Sequence, residues 1–567
     1  MNIKNNMLKK YWNFKSFLKY QEDIIDSIIN GNNIFVALPT GAGKSLCYQL
    51  PSTIIKGLTL VISPLISIME DQVYKMNKIG IPSFYFKSDS NSLTIDQQIS
   101  NLINGNYRIV YCSPERLTSR YFLEKIKIVD IKHIAVDEAH CISEWGHGFR
   151  PAYRSIKNII NLFPMATISA YSGSATLKVK KDIISNLGIE DCVTIDCSYK
   201  RKNIFYETLF TNDKMKSLLE IIRNESSIIY CNSRGLSENI SKNLCHNGFN
   251  SDYFHGGLSR NEKKEKLRKW QSEEIKVIVG TSAFGMGIHK SQVRHVVHFN
   301  IPNSIEEFYQ EAGRCGRDGE KSKSTLLTNL NDKSIFTNSL LKNQLKKKDL
   351  IKVYKNLTNF FQIPYGYGEG NNYDFDLSKF TLEYKLDKSK TKNILTFLEM
   401  NGLLLLKRKI DEDLEIKILC DPKTIKTLLK KTSPRTLLLE SICRKFPKIY
   451  SKKINVSTKK LNQITKIEIT KIYDYLKFFK KNQILDYASN NYDYKLNWLK
   501  PREDKYSINH LFNKLNNLND IEIFKANKIL DYIFDTNSCK SKKLLSYFGE
   551  KIKSNCNNCN SKCCLQI

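Results

Sequence analysis

Along the first two hundred residues, short apolar runs recur at intervals bounded by glycine, proline and charged side chains. The runs 34–38, 58–62, 108–112, 133–137 and 167–172 are continuous rather than alternating, as expected of strands buried on both faces. The segment 65–78 places apolar residues three and four apart, which predicts a helix with one apolar face. Strands alternating with helices predict a parallel sheet covered by helices. From about Asn203 to Leu330 the pattern recurs, with strands predicted at 226–231, 275–281 and 295–299 and a helix over 235–245 that Gly248 stops. These segments read as two α/β lobes, 1–202 and 203–338.

The last third has a different texture. One amphipathic helix is predicted from 340 to 362, followed by a linker at Gly366-Tyr367-Gly368-Glu369-Gly370. The segments 375–420 and 433–500 each pair short helical patterns with extended stretches, such as 391–402 followed by 403–408. A pair of winged-helix-like modules within 339–500 fits this pattern, and generic α+β packing fits it equally well. Residues 501–567 read as a small helical module rich in cysteine.

At 567 residues the chain is too long for one core. No apolar run reaches the length of a membrane helix, and residues 1–14 mix lysines with aromatics instead of forming a signal core. A soluble cytoplasmic protein without a membrane partner is expected. The net charge of +32 is concentrated after residue 340 and is densest at 431–480. There Phe446, Tyr450, Tyr473, Tyr475, Phe478 and Phe479 interleave with the lysines. That mixture favours contact with a nucleic-acid backbone over a merely solvated face. The 15 cysteines are expected as reduced thiols, with Cys112, Cys231 and Cys245 as small buried hydrophobes.

Two stretches carry candidate chemistry. Leu38-Pro39-Thr40-Gly41-Ala42-Gly43-Lys44-Ser45 follows the strand 34–37 as a glycine-rich turn whose amides, with Leu46, cradle phosphates. Asp137 and Glu138 stand at the carboxyl end of the run 131–136, where open α/β sheets bind ligands. Together they predict a nucleoside triphosphatase that uses Mg²⁺. Lys44 would meet the β- and γ-phosphates, Ser45 and Asp137 the Mg²⁺ shell, and Glu138 the attacking water. Immediately after come Trp145, His147, Phe149 and Arg150, side chains able to stack on or grip a single strand. Packing between the lobes is the alternative reading of these aromatics.

The order of several motifs resembles one family. Ser63-Pro64-Leu65-Ile66-Ser67-Ile68-Met69-Glu70-Asp71-Gln72-Val73, the stretch 137–151, Ile229-Tyr230-Cys231-Asn232-Ser233-Arg234, Ala283-Phe284-Gly285-Met286-Gly287-Ile288 and the stretch 310–319 are similar to the motifs of RecQ-type DNA helicases, in that family's order. The resemblance implies two RecA-like lobes and an ATP-driven motor that moves 3′ to 5′ on single-stranded DNA and opens tailed duplexes in repair or recombination. It also implies that Arg314 and Arg317 cross from the second lobe to the nucleotide, that His140 and Gln310 link the lobes, and that Phe14 and Gln21 face the base. Thr176 is expected in the motif that relays hydrolysis. A monomer is expected, with a single-strand-binding protein as one candidate partner beyond DNA. The chain departs from the family at Leu18, where arginine is usual, at Glu144 and Gly148, and at Gly280 and His289; His289 reads as a ribose contact or as a surface residue. An RNA remodeller and a DNA-binding scaffold with a decayed motor are the competing readings.

At the end of the chain, Cys556-x-x-Cys559 with Cys539 and Cys563, or Cys564 in its place, has the composition of a closed four-cysteine zinc site. The lead-in Leu544-Leu545-Ser546-Tyr547-Phe548-Gly549-Glu550 resembles the zinc-binding subdomain of the same family, placed here after the presumed winged-helix region instead of directly after the lobes.

Overall fold

The computed structural model describes residues 3–565, apart from 40, 87–91, 147–148, 224, 286–289, 409–412, 430–432, 490–493, 505–507, 552–555 and 557. The chain divides into two compact units, 1–344 together with 517–567, and 345–516.

The first unit holds two parallel sheets. In the first lobe, β1 (Ile34–Ala37), β2 (Leu58–Ile62), β3 (Ser83–Tyr85), β4 (Ile109–Cys112), β5 (Ile131–Val136), β6 (Thr167–Ser172) and β7 (Val193–Asp196) form the order β3-β4-β2-β5-β6-β1-β7. Strands β1, β2 and β6 are buried along their whole length, as expected of strands covered on both faces. β7 is an edge strand with mostly exposed residues, and for that reason has no apolar signature. Because β5 and β1 flank β6, the loops leaving their carboxyl ends converge.

The second lobe comprises β8 (Ile204–Phe210), β9 (Ser227–Tyr230), β10 (Ser251–Phe254), β11 (Val277–Gly280), β12 (His295–His298) and β13 (Ser322–Thr328), ordered β10-β11-β9-β12-β13-β8. Three of these strands, β8, β10 and β13, go beyond those predicted. Of the cysteines read as buried, Cys112 and Cys231 are buried, but Cys245 is exposed and its thiol lies 3.2 Å from the Ser251 carbonyl.

Residues 517–567 pack on the lobes instead of standing apart. Asn558 donates to the carbonyls of Lys202 and Ile204, and Asn560 exchanges two hydrogen bonds with Thr208. This segment therefore covers the open edge of β8, which would otherwise present unpaired backbone groups.

Where one long helix was predicted at 340–362, two occur, Leu330–Asn343 and Lys347–Phe360. The first begins ten residues earlier because Asn329 and Asp332 form a capping box. Extended backbone at Gln344 and Lys346 separates the two.

The second unit, 345–516, contains two three-stranded antiparallel sheets. β14 (Asn372–Phe375), β15 (Leu404–Arg408) and β19 (Tyr494–Trp498) are ordered β14-β19-β15. With helices Lys347–Phe360, Leu377–Glu383 and Lys388–Met400 they follow the winged-helix sequence of helix, strand, two helices and two strands. Phe360, Phe361, Phe375 and Phe380 form their aromatic core.

Between β15 and β19, the chain builds a second module from β16 (Asp413–Ile418), β17 (Ile454–Ser457) and β18 (Leu485–Ser489), ordered β17-β16-β18. It has its own core of Leu414, Ile416, Leu438, Ile442, Ile472 and Leu476. The two modules are thus nested rather than tandem, and in the inner one the middle strand of the sheet comes first in the sequence.

Candidate nucleotide crevice and cysteine cluster

Pro39 to Leu46 leave the carboxyl end of β1 as a tight loop. The Ala42 amide donates to the Pro39 carbonyl and the Leu46 amide to the Gly43 carbonyl. Gly41 and Gly43 have φ of +88° and +78°, and a Cβ on Gly43 would lie 2.3 Å from the amide nitrogen of Gln21. Only glycine tolerates both conditions. Gln21 is buried; its carbonyl oxygen accepts from the Leu18 amide at 2.8 Å and its NH₂ donates to the Gly43 carbonyl at 3.3 Å. It holds the loop and still has a second N–H to offer a base. Phe14 and Leu18 are 52% and 58% exposed, and the Leu18 side chain lies against this loop, 3.6 Å from where a Cβ on Gly43 would stand. Thr40 lies outside the described residues.

Lys44 begins the helix Lys44–Gln49. Its ammonium is buried without a hydrogen-bond partner, 3.7 Å from a Glu138 carboxylate oxygen. A buried cation held this loosely is suited to receive phosphate oxygens. Asp137 follows β5, and its own carboxylate accepts from the Glu138 amide at 3.0 Å. Burial, and then the adjacent Glu138 charge, push the Asp137 carboxyl up, with Lys44 opposing. Such a carboxylate gains from a divalent cation beside it. Glu138 adopts φ of +48°, a conformation costly for a side chain. His140 lies 3.4 Å from Glu138 and 3.3 Å from Ser172 at the end of β6.

The second lobe reaches this crevice from the helix Ile305–Ala312. Gln310 donates to the hydroxyl of Ser174 in the first lobe at 2.8 Å, with both groups buried. Thr176, by contrast, caps the helix Leu177–Leu187, and Ser174 makes the link between lobes. The Arg317 stem passes over Gly41, 3.3 Å from where a Cβ would stand. Arg314 is buried, bonded to the Gly285 carbonyl, with its Nε lacking a hydrogen-bond partner.

Pattern reading missed the clamp beneath these arginines. Arg201 donates to the carbonyls of Gly313, Cys315 and Gly316, and Asn203 to those of Gly316 and Glu320. No spacing in the sequence announces these contacts, which span more than a hundred residues. Gly280 is explained by packing: a Cβ there would lie 2.6 Å from Phe284.

The loop after His140 folds tightly, since a Cβ on Gly146 would lie 1.9 Å from the His140 carbonyl. Trp145 is half-buried, edge-on to Phe524 with centroids 6.0 Å apart, and the Lys178 ammonium lies over its ring. Arg150 bonds the Pro64 carbonyl at 2.7 Å. The Arg154 guanidinium covers the Phe149 ring and pairs with Glu144. His147 and Gly148, with His289, lie outside the described residues. Trp145, Phe149 and Arg150 thus make protein contacts here, on a loop joined at its base by the Arg150 amide and the Cys141 carbonyl.

Cys539, Cys556, Cys559 and Cys564 gather with all sulfurs within 4.8 Å of one another. Cys556 lies 3.2 Å from Cys539 and 3.6 Å from Cys559. Thiolates about 2.3 Å from one ion stand at comparable separations, so the cluster fits zinc. Cys563, the first choice for fourth ligand, is replaced by Cys564. Consecutive residues on the helix Lys562–Leu565 point about 100° apart, so only one of them faces the cluster.

Residues 18–183 match the DEAD/DEAH box helicase family, 212–319 the helicase conserved C-terminal domain, and 502–564 the RecQ zinc-binding domain. The ATP-dependent DNA helicase RecQ of Pasteurella multocida is 40% identical over 57% of this chain and 51% of its own length. That of Bacillus subtilis is 38% identical over 57% of this chain and 55% of its own. The chain therefore spans about half the length of these relatives. Among solved structures, the helicase MrfA bound to DNA and AMPPNP is 18% identical at a TM-score of 0.49, over 60% of this chain and 52% of that one. Both helicase domains followed by the RecQ zinc-binding domain, and relatives of that name at 38–40% identity, make this chain similar to the RecQ helicases over the matched segments.

Proposed function

We propose that this protein is an ATP-driven DNA helicase that moves 3′ to 5′ along single-stranded DNA and opens tailed duplexes, in repair or recombination. The observation that carries the reading is the meeting of Arg317 with Gly41 across the two lobes, beside the Gln310–Ser174 bond. Lobes that meet at Gly41 through the Arg317 stem, and at Ser174 through the Gln310 amide, can read whether a triphosphate lies between them.

In this mechanism Lys44 and the loop amides take up the charge of the β- and γ-phosphates, and Glu138 orients the attacking water. Asp137 and Ser45 would hold Mg²⁺, which supplies charge neutralisation when bound. Arg314 and Arg317 stabilise the charge spread over the transferred group once the lobes close. Gln310 reports closure to Ser174. The loop bearing His140, Trp145, His147, Phe149 and Arg150 couples this crevice to the strand being pulled. The inner module at 413–489, with its basic and aromatic helix Ile469–Lys481, is assigned to duplex backbone contact. Zinc is assigned a structural role, because four thiolates leave no open position.

The site of action follows the chromosome, the nucleoid-bearing cytoplasm in a bacterial cell. Among the described residues no helix is long and apolar enough to cross a membrane.

Strand separation decides the matter. Wild type should open a 3′-tailed DNA duplex with ATP, act poorly on the matching RNA duplex, and lose activity in Lys44→Ala. Equal or better RNA unwinding would favour an RNA remodeller, and DNA binding without ATP-dependent unwinding a scaffold.

A further inference from the structure

Segments far apart in sequence meet at Glu306, in the first turn of the helix that carries Gln310 and leads to Arg314 and Arg317. Glu306 is 1% exposed. One of its carboxylate oxygens accepts from the Tyr547 hydroxyl at 2.8 Å and lies 3.9 Å from the Lys525 ammonium, while the other has no hydrogen-bond partner. Lys525 also donates to the Gly146 carbonyl at 3.0 Å. Tyr547 belongs to the cysteine-bearing segment, Lys525 to the helix Asn509–Phe534, and Gly146 to the Trp145 loop of the first lobe.

A lysine on a helix ordinarily extends its ammonium into water. This one is turned inward between a carbonyl of one lobe and a buried carboxylate of the other, and burial lowers its proton affinity. Such an arrangement repays its desolvation only if both partners stay in place. Phe524, the preceding residue, is the one edge-on to Trp145. Two consecutive side chains of one helix therefore grip consecutive residues of the loop, and one of them also holds the second lobe.

We infer that Lys525 is a positioning residue that ties the Trp145 loop to the helix bearing Gln310, so that strand engagement at the loop and arginine placement at the nucleotide shift together. The inference rests on the proposed function, and deepens it by giving the C-terminal segment a part in coupling. Lys525 acts through Gly146 and Glu306.

The test uses the full zinc-loaded chain as wild type, K525M, K525R, E306Q and K525M/E306Q. Hydrogen–deuterium exchange is followed over 141–150, and ATP hydrolysis is measured with and without oligo-dT. Removing the ammonium should speed exchange of the loop about tenfold, the scale of disturbed coupling between sites, with β5 and β6 exchanging as in wild type. At saturating oligo-dT the K525M turnover should fall about tenfold while the half-saturating concentration moves less than about twofold. K525R should restore both, E306Q should mimic K525M, and the double variant should be no worse than either single one.

Unchanged loop exchange in K525M overturns the inference, as does a rise spread evenly over the chain or an equal fall in basal and stimulated rates. If wild type gains no rate from oligo-dT, the proposed function fails by itself, and loop exchange still decides the positioning role.

Discussion

The side-chain NH₂ of Gln310 donates to the hydroxyl of Ser174 across the crevice between the lobes, at 2.8 Å and out of reach of water. A neutral hydrogen bond of this kind is worth about 1 kcal/mol net. Its removal from either side should therefore loosen closure without unfolding a lobe. Gln310→Ala and Ser174→Ala should each lower kcat/KM for ATP by roughly five- to tenfold. The double variant should fall little further. Additive losses in that cycle would mean the two residues act separately.

Glu138 and Lys44 divide two tasks. Glu138→Gln should keep nucleotide affinity while lowering kcat by about 10²–10⁴, the usual contribution of a positioned proton acceptor. Lys44→Ala should lose affinity and turnover together. Nucleotide titration beside single-turnover hydrolysis separates the two outcomes, and retained turnover in Glu138→Gln would remove it from the water-orienting role.

Leu18 sits exposed beside the phosphate loop, its side chain 3.6 Å from where a Cβ on Gly43 would stand. A guanidinium there could lie against a bound base, an interaction worth about 0.5–1 kcal/mol at an exposed site. Leu18→Arg should accordingly tighten ATP binding about two- to fivefold and sharpen the preference for ATP over GTP. Binding constants for both nucleotides in the two proteins test this.

The cysteine cluster makes a discriminating pair of substitutions. Cys564→Ser should release zinc and lower Tm, because the metal-ligand set is broken. Cys563→Ser should retain one zinc per chain and the wild-type melting curve. Metal analysis of the purified proteins reverses the assignment if Cys563→Ser is the one that loses metal.

Three buried histidines set the acid limit of stability. Burial holds His133, His295 and His298 down to about 3. In the unfolded chain each takes a proton below about 6.5. The folded protein excludes that proton, so their contribution is complete above pH 6.5 and is lost progressively as the pH falls towards 3. Each should add a slope of up to about 1.4 kcal/mol per pH unit. Urea unfolding from pH 7 to pH 4 should record this decline, and His133→Gln should flatten it.

How much was legible in the sequence depended on how locally each feature is determined. The phosphate loop and the Asp137–Glu138 pair could be read because their residues are neighbours in the chain and follow strands with unbroken apolar runs. Edge strands such as β7 could not, since exposure on one side removes the pattern that marks a strand. Arg201, Lys525 and Glu550 act on partners more than a hundred residues away; Glu550, for example, accepts from the Ser198 hydroxyl and the Tyr199 amide in the link between the lobes. The choice between Cys563 and Cys564 was a matter of helix phase, which composition does not record. Nesting escaped the reading because each module's helices and strands look the same whether the modules follow one another or one interrupts the other.

Arg408 and Tyr494 pair directly where the inner module leaves and rejoins its host. Entry and exit run through a two-stranded neck, so the inserted piece resembles a cassette: deleting it and bridging the two residues with a short turn would leave the outer sheet's hydrogen-bond ladder intact. A load applied to the cassette would be shared by both strands of that neck, and evolution could exchange or discard the insert without disturbing the scaffold that carries it.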